Sequence, residues 1–281
     1  MSKMDMNQIL QTVREQYGRA ATTAGGCGSD PASTGCCGKA QGNQAAGLAM
    51  GYTTEQLQGL GEDANLGLGC GNPNAFSQLK QGDVVLDLGS GGGFDCFIAA
   101  RAVGESGRVI GVDMTPEMIQ LARQNAGKMK TANVEFRKGE IEHLPVDDES
   151  VDAIISNCAI NLSPDKQAVF REAYRVLKPA GRLAVSDVVA TAPLPQHLRD
   201  DASKLTGCIA GALTVDELEA ILAMAGFEQI RVLLEPGSRR LIEHSLPQSG
   251  VEQYIVSARI EAVKPSSTTN PTKEAADETA L

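Results

Sequence analysis

The sequence predicts an α/β protein, a doubly wound and mostly parallel sheet, and three observations carry that expectation. Short apolar runs alternate with helical patterns through the middle of the chain, a glycine-rich turn follows the first run, and an aspartate closes the second. The runs VVLDLG, RVIGVD, VEFRKGE, VDAIISNCA and GRLAVSDVV read as strands. They are short and apolar on both faces, as parallel strands covered by helices on either side must be. Helices are expected between them. Thr115 before Pro116 and Ser163 before Pro164 each place an N-cap residue ahead of a proline at the first helical position, where a missing N–H costs nothing. Thr214 with Glu217 forms a capping box ahead of LEAILAMAGF, and Gly226 is the stop. EQIRVLLE and YIVSARIEA supply the last two strands.

Composition divides the chain into four expected parts. Residues 1–66 hold one helix and a Cys/Gly-rich segment, GGCGSDPASTGCCGKAQGNQ, which reads as a mobile loop. Residues 67–190 form the sheet domain, 191–263 the covering helices and final strands, and 264–281 a polar, proline-interrupted tail read as disordered. With 281 residues the chain can bury about 75% of its unfolded surface. The net charge of −10 excludes a basic face for nucleic acid and disfavours anionic membranes. No segment approaches the roughly 20 apolar residues of a membrane span, and the first residues lack the apolar core of a secretory signal. Seven cysteines, an odd number, then suggest reduced thiols and a cytoplasmic protein. Nothing demands more than a monomer.

The turn after the first strand, LGSGGGFD, offers Gly89, Gly91 and Gly93 where the backbone must approach a ligand. A dinucleotide-binding turn would need glycine at position 94, which is Phe94, so the pattern favours the version of this sheet that binds S-adenosylmethionine. Asp113, ending the second strand, suits the two ribose hydroxyls, and Glu140 and Ile141, ending the third, suit the adenine. By the rule that ligands lie beyond the carboxyl ends of such strands, the candidate donor site comprises Asp87, Gly89, Ser90, Gly91, Gly93, Asp95, Asp113, Met114, Glu140, Ile141 and Asn157.

Three cysteines fall on segments that cover the same mouth: Cys70 in GLGCGNP, Cys158 in SNCAINLSPDKQ and Cys208 in TGCIAGAL. Cys96, at the start of the helix after the turn, is expected to pack against the sheet instead. The histidines, His143, His197 and His244, stand singly in polar segments, and no Ser-His-Asp or His-carboxylate arrangement is visible.

The strings GLGCGNP, DLGSGGGFDCF, GVDMTPEM, SNCAINLSPDKQ, EAYRVLKPAG, SDVV and GCIAGAL resemble the arsenite S-adenosylmethionine methyltransferase family, from VREQYG to about residue 235. The resemblance implies a Rossmann-like class I methyltransferase fold and trivalent arsenic bound by Cys70, Cys158 and Cys208 as the catalytic thiols. A fourth family thiol has Cys36 and Cys37 as its nearest counterparts, with Cys27 as the alternative. Cys27, Cys36 and Cys37 could work as a redox relay; equally, Cys36 and Cys37 could be an arsenic-capturing pair, or inert. The implied reaction converts arsenite stepwise to mono- and dimethylated, and in the limit trimethylated, products, a detoxification. Arsenic(III) prefers thiolates and keeps a lone pair after binding three of them, so attack on the donor methyl needs no general base. Transfer oxidises arsenic, so a thiol reductant such as thioredoxin or glutathione is expected as partner. The alternatives are a C-, N- or O-methyltransferase of small molecules and a non-catalytic metalloid-binding protein.

Overall fold

A computed structural model describes residues 6–22, 43–60, 64–199, 208–245 and 249–266. The amino-terminal part supplies α1 (Met6–Thr22), α2 (Asn43–Ala49) and α3 (Thr54–Leu57). The sheet domain runs β1 (Val84–Leu88), α4 (Phe94–Val103), β2 (Arg108–Asp113), α5 (Pro116–Met129), β3 (Val134–Lys138), β4 (Val151–Asn157), α6 (Lys166–Val176) and β5 (Leu177–Ala190). Then come α7 (Gln196–Arg199), α8 (Val215–Met224), β6 (Glu228–Glu235), α9 (Ser238–Ser245) and β7 (Ile255–Val263).

The strands lie in the order β3-β2-β1-β4-β5-β7-β6. The first five are parallel, and β7 enters antiparallel between β5 and β6. The two-residue period of a strand sends alternate side chains to opposite layers. On β1, Leu86 and Leu88 face α6 and α8 with Ile154, Phe170 and Leu222, while Val85 faces α4 and α5 with Phe97, Ile119 and Ile155. The chain leaves β1 towards β2 and β3 on one side and returns to β4 on the other. That reversal opens a crevice at the carboxyl ends of β1 and β4.

Several sequence expectations shift. Asp165, not Ser163, caps α6, its side chain accepting from Ala168 N at 2.9 Å, while Ser163 Oγ accepts from Asp165 N at 3.1 Å. Proline at the first helical position therefore does not describe this helix, which begins two residues after Pro164. Thr115 does precede α5, without a side-chain cap bond, and the Thr214–Glu217 capping box is present. β3 stops at Lys138, so Glu140 and Ile141 lie beyond it, in a turn that Gly139 N–H starts by bonding Asp113 O at 3.0 Å. LKPAG belongs to β5, Leu177 pairing with Val151 before a register shift.

Lys264, read as the start of the tail, is buried. Its ammonium donates to Tyr174 O at 3.0 Å, Leu177 O at 2.8 Å and Glu149 Oε1 at 3.1 Å. The rest of the expected tail from residue 267, and Cys27, Cys36 and Cys37 with their segment, lie outside the described residues. No described helix is long and apolar enough to cross a membrane.

Candidate active site

The glycine turn rises from β1 and closes on the next strand. Gly89 N and Ser90 N both donate to Val112 O, at 2.8 and 3.0 Å. Gly89 has φ +73, and a Cβ there would lie 2.3 Å from that of Ala159, so only glycine lets the turn sit against the segment after β4. Gly93 ends the turn as the N-cap of α4 and offers no side-chain cap, which leaves the first N–H groups of that helix directed at the crevice. Asp113 holds the turn from the side: Oδ2 accepts from Gly91 N at 3.0 Å and Oδ1 from Thr115 N at 2.8 Å. Each oxygen keeps acceptor capacity for a neighbouring diol. Burial raises the Asp113 pKa, and the two backbone bonds oppose that rise.

The remaining predicted donor residues are disposed unequally. Ser90 turns its hydroxyl inward, 2.8 Å from the position of a Cβ on Gly111, buried and unpartnered among the described residues. Its part in the turn is its backbone. Asp87 sits below the turn and accepts from the Cys96 thiol at 3.1 Å, which confirms Cys96 as a packing residue of the sheet. Burial, with Asp95 nearby, keeps the Asp87 carboxyl well above the usual range. Glu140 is ion-paired to Arg14 of α1, and Ile141 packs on the core. Met114 is half-buried beside Asp113. Helix α1 reaches this edge by laying Tyr17, Ala20 and Ala21 against Met118, Leu121, Leu66 and Leu68.

One buried polar network joins the donor turn to the thiols. Asn157, the last residue of β4, accepts from Cys70 N at 3.0 Å with Oδ1, and its Nδ2 donates to Gly71 O at 2.8 Å and Asp95 Oδ2 at 3.2 Å. Tyr52 donates its hydroxyl to Asp95 Oδ1 at 2.7 Å, and Asn74 Nδ2 donates to the same oxygen at 2.8 Å. Asn74 Oδ1 is buried without a partner among the described residues. Burial pushes Asp95 up to about 6 against the three donors that lower it. Sequence reading missed Tyr52 and Asn74, since neither lies in a strand end or a glycine turn.

The three predicted cysteines come together. Cys70 Sγ lies 3.4 Å from Ser186 O and 3.9 Å from Asn157 Oδ1, and Cys158 N donates to Ser186 O at 2.8 Å. Cys208 donates its thiol to Cys158 O at 2.9 Å. All are reduced. Cys158 and Cys208 hold left-handed backbones, φ +57 and +62, a costly state for non-glycine residues that their surroundings enforce. Burial raises the Cys70 thiol to about 11. The neighbouring Cys208 thiol favours the Cys158 thiolate, yet contact with Cys70 and burial leave Cys158 well above the ordinary range.

A carboxylate completes the cluster, and sequence reading did not find it. Asp187 of β5 is 2% exposed, and one of its oxygens lies within 4.8 Å of Cys70 Sγ and Cys158 Sγ, which also lie within that distance of each other. Its Oδ1 accepts from Asn161 Nδ2 at 2.9 Å and Val188 N at 2.8 Å, and its Oδ2 from Asn161 N at 3.2 Å. Burial raises it to about 6, against those bonds and the positive charge of Lys166. The only available signal was its presence in SDVV beside a thiol-bearing strand end. A cavity of about 790 Å³ lined by Arg101, Arg108, Lys130 and Asn133 lies away from these groups and takes no part.

The turn, the diol-ready Asp113 and the unpartnered Asn74 acceptor fit S-adenosylmethionine. A model of the methyltransferase domain matches residues 79–226, and the strand order with antiparallel β7 agrees. The fold and this site thus define an S-adenosylmethionine-dependent class I methyltransferase. Among relatives, the arsenite methyltransferase of Halobacterium salinarum is 49% identical over 265 residues, covering 93% of this chain and 68% of that one. That of Mus musculus is 34% identical, covering 79% of this chain and 59% of its own. The crystal structure of an arsenic(III) S-adenosylmethionine methyltransferase from Chlamydomonas reinhardtii superposes with a TM-score of 0.58 at 34% identity, over 79% of this chain and 74% of that one. This chain belongs to the arsenite methyltransferase family, and spans between 47% and 68% of the length of the arsenite methyltransferases it matches.

Proposed function

We propose that this protein methylates trivalent arsenic, holding it on Cys70, Cys158 and Cys208 and delivering its lone pair to the donor methyl. One observation supports this most: three thiols from distant segments meet at the end of β4, tied through Asn157 to the helix that leaves the donor turn. The high thiol pKa values do not oppose capture. Arsenous acid, As(OH)3, condenses with three thiols to give the trithiolate and three waters, so each thiol proton leaves with a hydroxyl of the substrate.

In this reading the glycine turn, Asp113, Asn74 and Asp95 would hold S-adenosylmethionine. The bound donor supplies a methyl group on a sulfonium. Asn157 fixes the Cys70 loop relative to Asp95, and so fixes arsenic relative to that methyl. Alignment of this kind is worth ~7–11 kcal/mol of barrier. The arsenic–carbon bond forms with the lone pair as the carbon–sulfur bond breaks, and arsenic moves from the trivalent to the pentavalent state. Two thiols then return two electrons by closing a disulfide, and Cys27, Cys36 and Cys37 are candidates beside the site cysteines. Thioredoxin or glutathione restores the thiols. We place the protein in the cytoplasm as a monomer, where reduced thiols persist.

The test is incubation of the purified protein with arsenite, S-adenosylmethionine and a thiol reductant, followed by speciation of the arsenic products, for the parent chain and for Cys158→Ser and Cys208→Ser. Loss of methylation in both variants is expected. Full retention with arsenite and with methylarsenite as substrates rules the mechanism out.

A further inference from the structure

We propose that Cys70, Cys158 and Asp187 form a site for a thiophilic divalent cation of the Zn2+ and Cd2+ class. The site itself stands on the geometry of these three groups. Its consequence, inhibition by exclusion of arsenite, rests on the reading above.

The first argument is the donor set. Arsenic(III) is satisfied by three sulfurs and reserves its fourth direction for a lone pair, so the arsenic reading gives Asp187 no task. A divalent zinc-like cation needs four donors in a tetrahedron, with sulfur at ~2.3 Å and carboxylate oxygen at ~2.0–2.2 Å. Two thiolates and the Asp187 oxygen, already within 4.8 Å of one another, supply three of them after a small contraction. The fourth is a water, with the Cys208 thiol, 2.9 Å from Cys158 O, as the alternative.

The second argument is charge. Asp187 is buried, yet among the described residues no ammonium or guanidinium lies within ion-pairing distance of it. Lys166 is nearby, but its Nζ donates to Ser163 O at 2.9 Å and Asn161 O at 3.4 Å. A buried carboxylate without a contact cation is costly. With a divalent cation and a water bound, two thiolates and one carboxylate carry three negative charges, the cation and Lys166 three positive ones, and the cluster is neutral. Binding displaces one proton from each of Cys70 and Cys158 to solvent.

The third argument is orientation. Ligating carboxylates are held by further hydrogen bonds, and Asp187 is fixed by Asn161 and Val188, with the Cys158 thiol as a further donor. Loss of the Cys158 proton on binding frees the lone pair a cation would use.

The test uses the full chain with Cys27, Cys36 and Cys37 changed to serine, reduced with a phosphine, and titrated with Cd2+ while the ultraviolet thiolate-to-cadmium absorption is followed. One Cd2+ per chain is expected, displaced by Zn2+, with at least tenfold weaker binding in Asp187→Asn. X-ray absorption at the zinc edge of the loaded parent chain should show two or three sulfurs and at least one oxygen. The proposal is overturned by absence of the cadmium band, by a folded Asp187→Asn chain that binds Cd2+ unchanged, or by an all-sulfur zinc shell. If Asp187→Asn does not fold, the zinc-edge result decides. Arsenite binding, followed separately as loss of titratable thiols, keeps the two ideas apart. Cadmium binding without arsenite binding sinks the arsenic reading alone, and the converse sinks this one alone.

Discussion

Replacing Asn157 by alanine should disable the site without dismantling the fold. Its amide accepts from Cys70 N and donates to Gly71 O and Asp95 Oδ2, at 3.0, 2.8 and 3.2 Å. Alanine leaves a backbone N–H, a carbonyl and a buried carboxylate each short of one partner. A buried group so orphaned costs ~1–3 kcal/mol. Cys70 and Gly71 are half-buried, so water can replace part of what they lose, whereas Asp95 is buried and retains only Tyr52 and Asn74. The sum comes to about 2–4 kcal/mol of stability, read as a lower urea midpoint at unchanged slope. Methylation of arsenite should fall further than stability predicts, by ~10–100-fold, because a Cys70 loop displaced by an ångström misaligns the reacting atoms. A variant within about 0.5 kcal/mol of the parent and equally active would refute the claim that Asn157 couples the thiols to the donor turn.

Two further outcomes follow from the same groups. Asp95 and Asp187 titrate at about 6 in the folded chain against an ordinary 3.8, so their neutral forms stabilise the fold below that ordinary value, and this contribution fades as pH rises through 6. Asp152 and Glu172, held low with Lys178 and Arg175 among the causes, act oppositely and lose their contribution as pH falls. Urea melts across pH should therefore peak at about pH 4, where the loss from Asp95 and Asp187 sets in, and Asp187→Asn should flatten the decline towards neutrality; a maximum above pH 7 would contradict the assignment. Gly71→Ala should lower activity by ~10-fold or more with the fold retained, since its Cβ would lie 2.1 Å from Ser186 Oγ. Adding Ser186→Ala leaves only a 3.2 Å contact with the Ser186 Cβ and should recover most of the activity, as product speciation would show.

Sequence alone determined the alternation of strands and helices, and it shows the glycine turn at Gly89 to Gly93, the acid at the end of the second strand, Asp113, and the three cysteines proposed for the site. These are local features: hydrophobic period, turn chemistry and spacing are written in consecutive residues. Cap placement was less secure, because Ser163 and Asp165 compete for one helix start and only the backbone path chooses between them.

Tertiary structure alone decided what surrounds the thiols. The β4–β5 register sets Asn157 opposite Ser186, which brings Asp187 to the same strand ends as Cys158. Tyr52 reaches Asp95 from 43 residues away. Lys264 became a buried anchor instead of a tail because the end of α6, the start of β5 and the turn before β4 present it with three acceptors. Such partnerships depend on how elements pack, and no periodicity along the chain records which distant side chains the packing brings into contact.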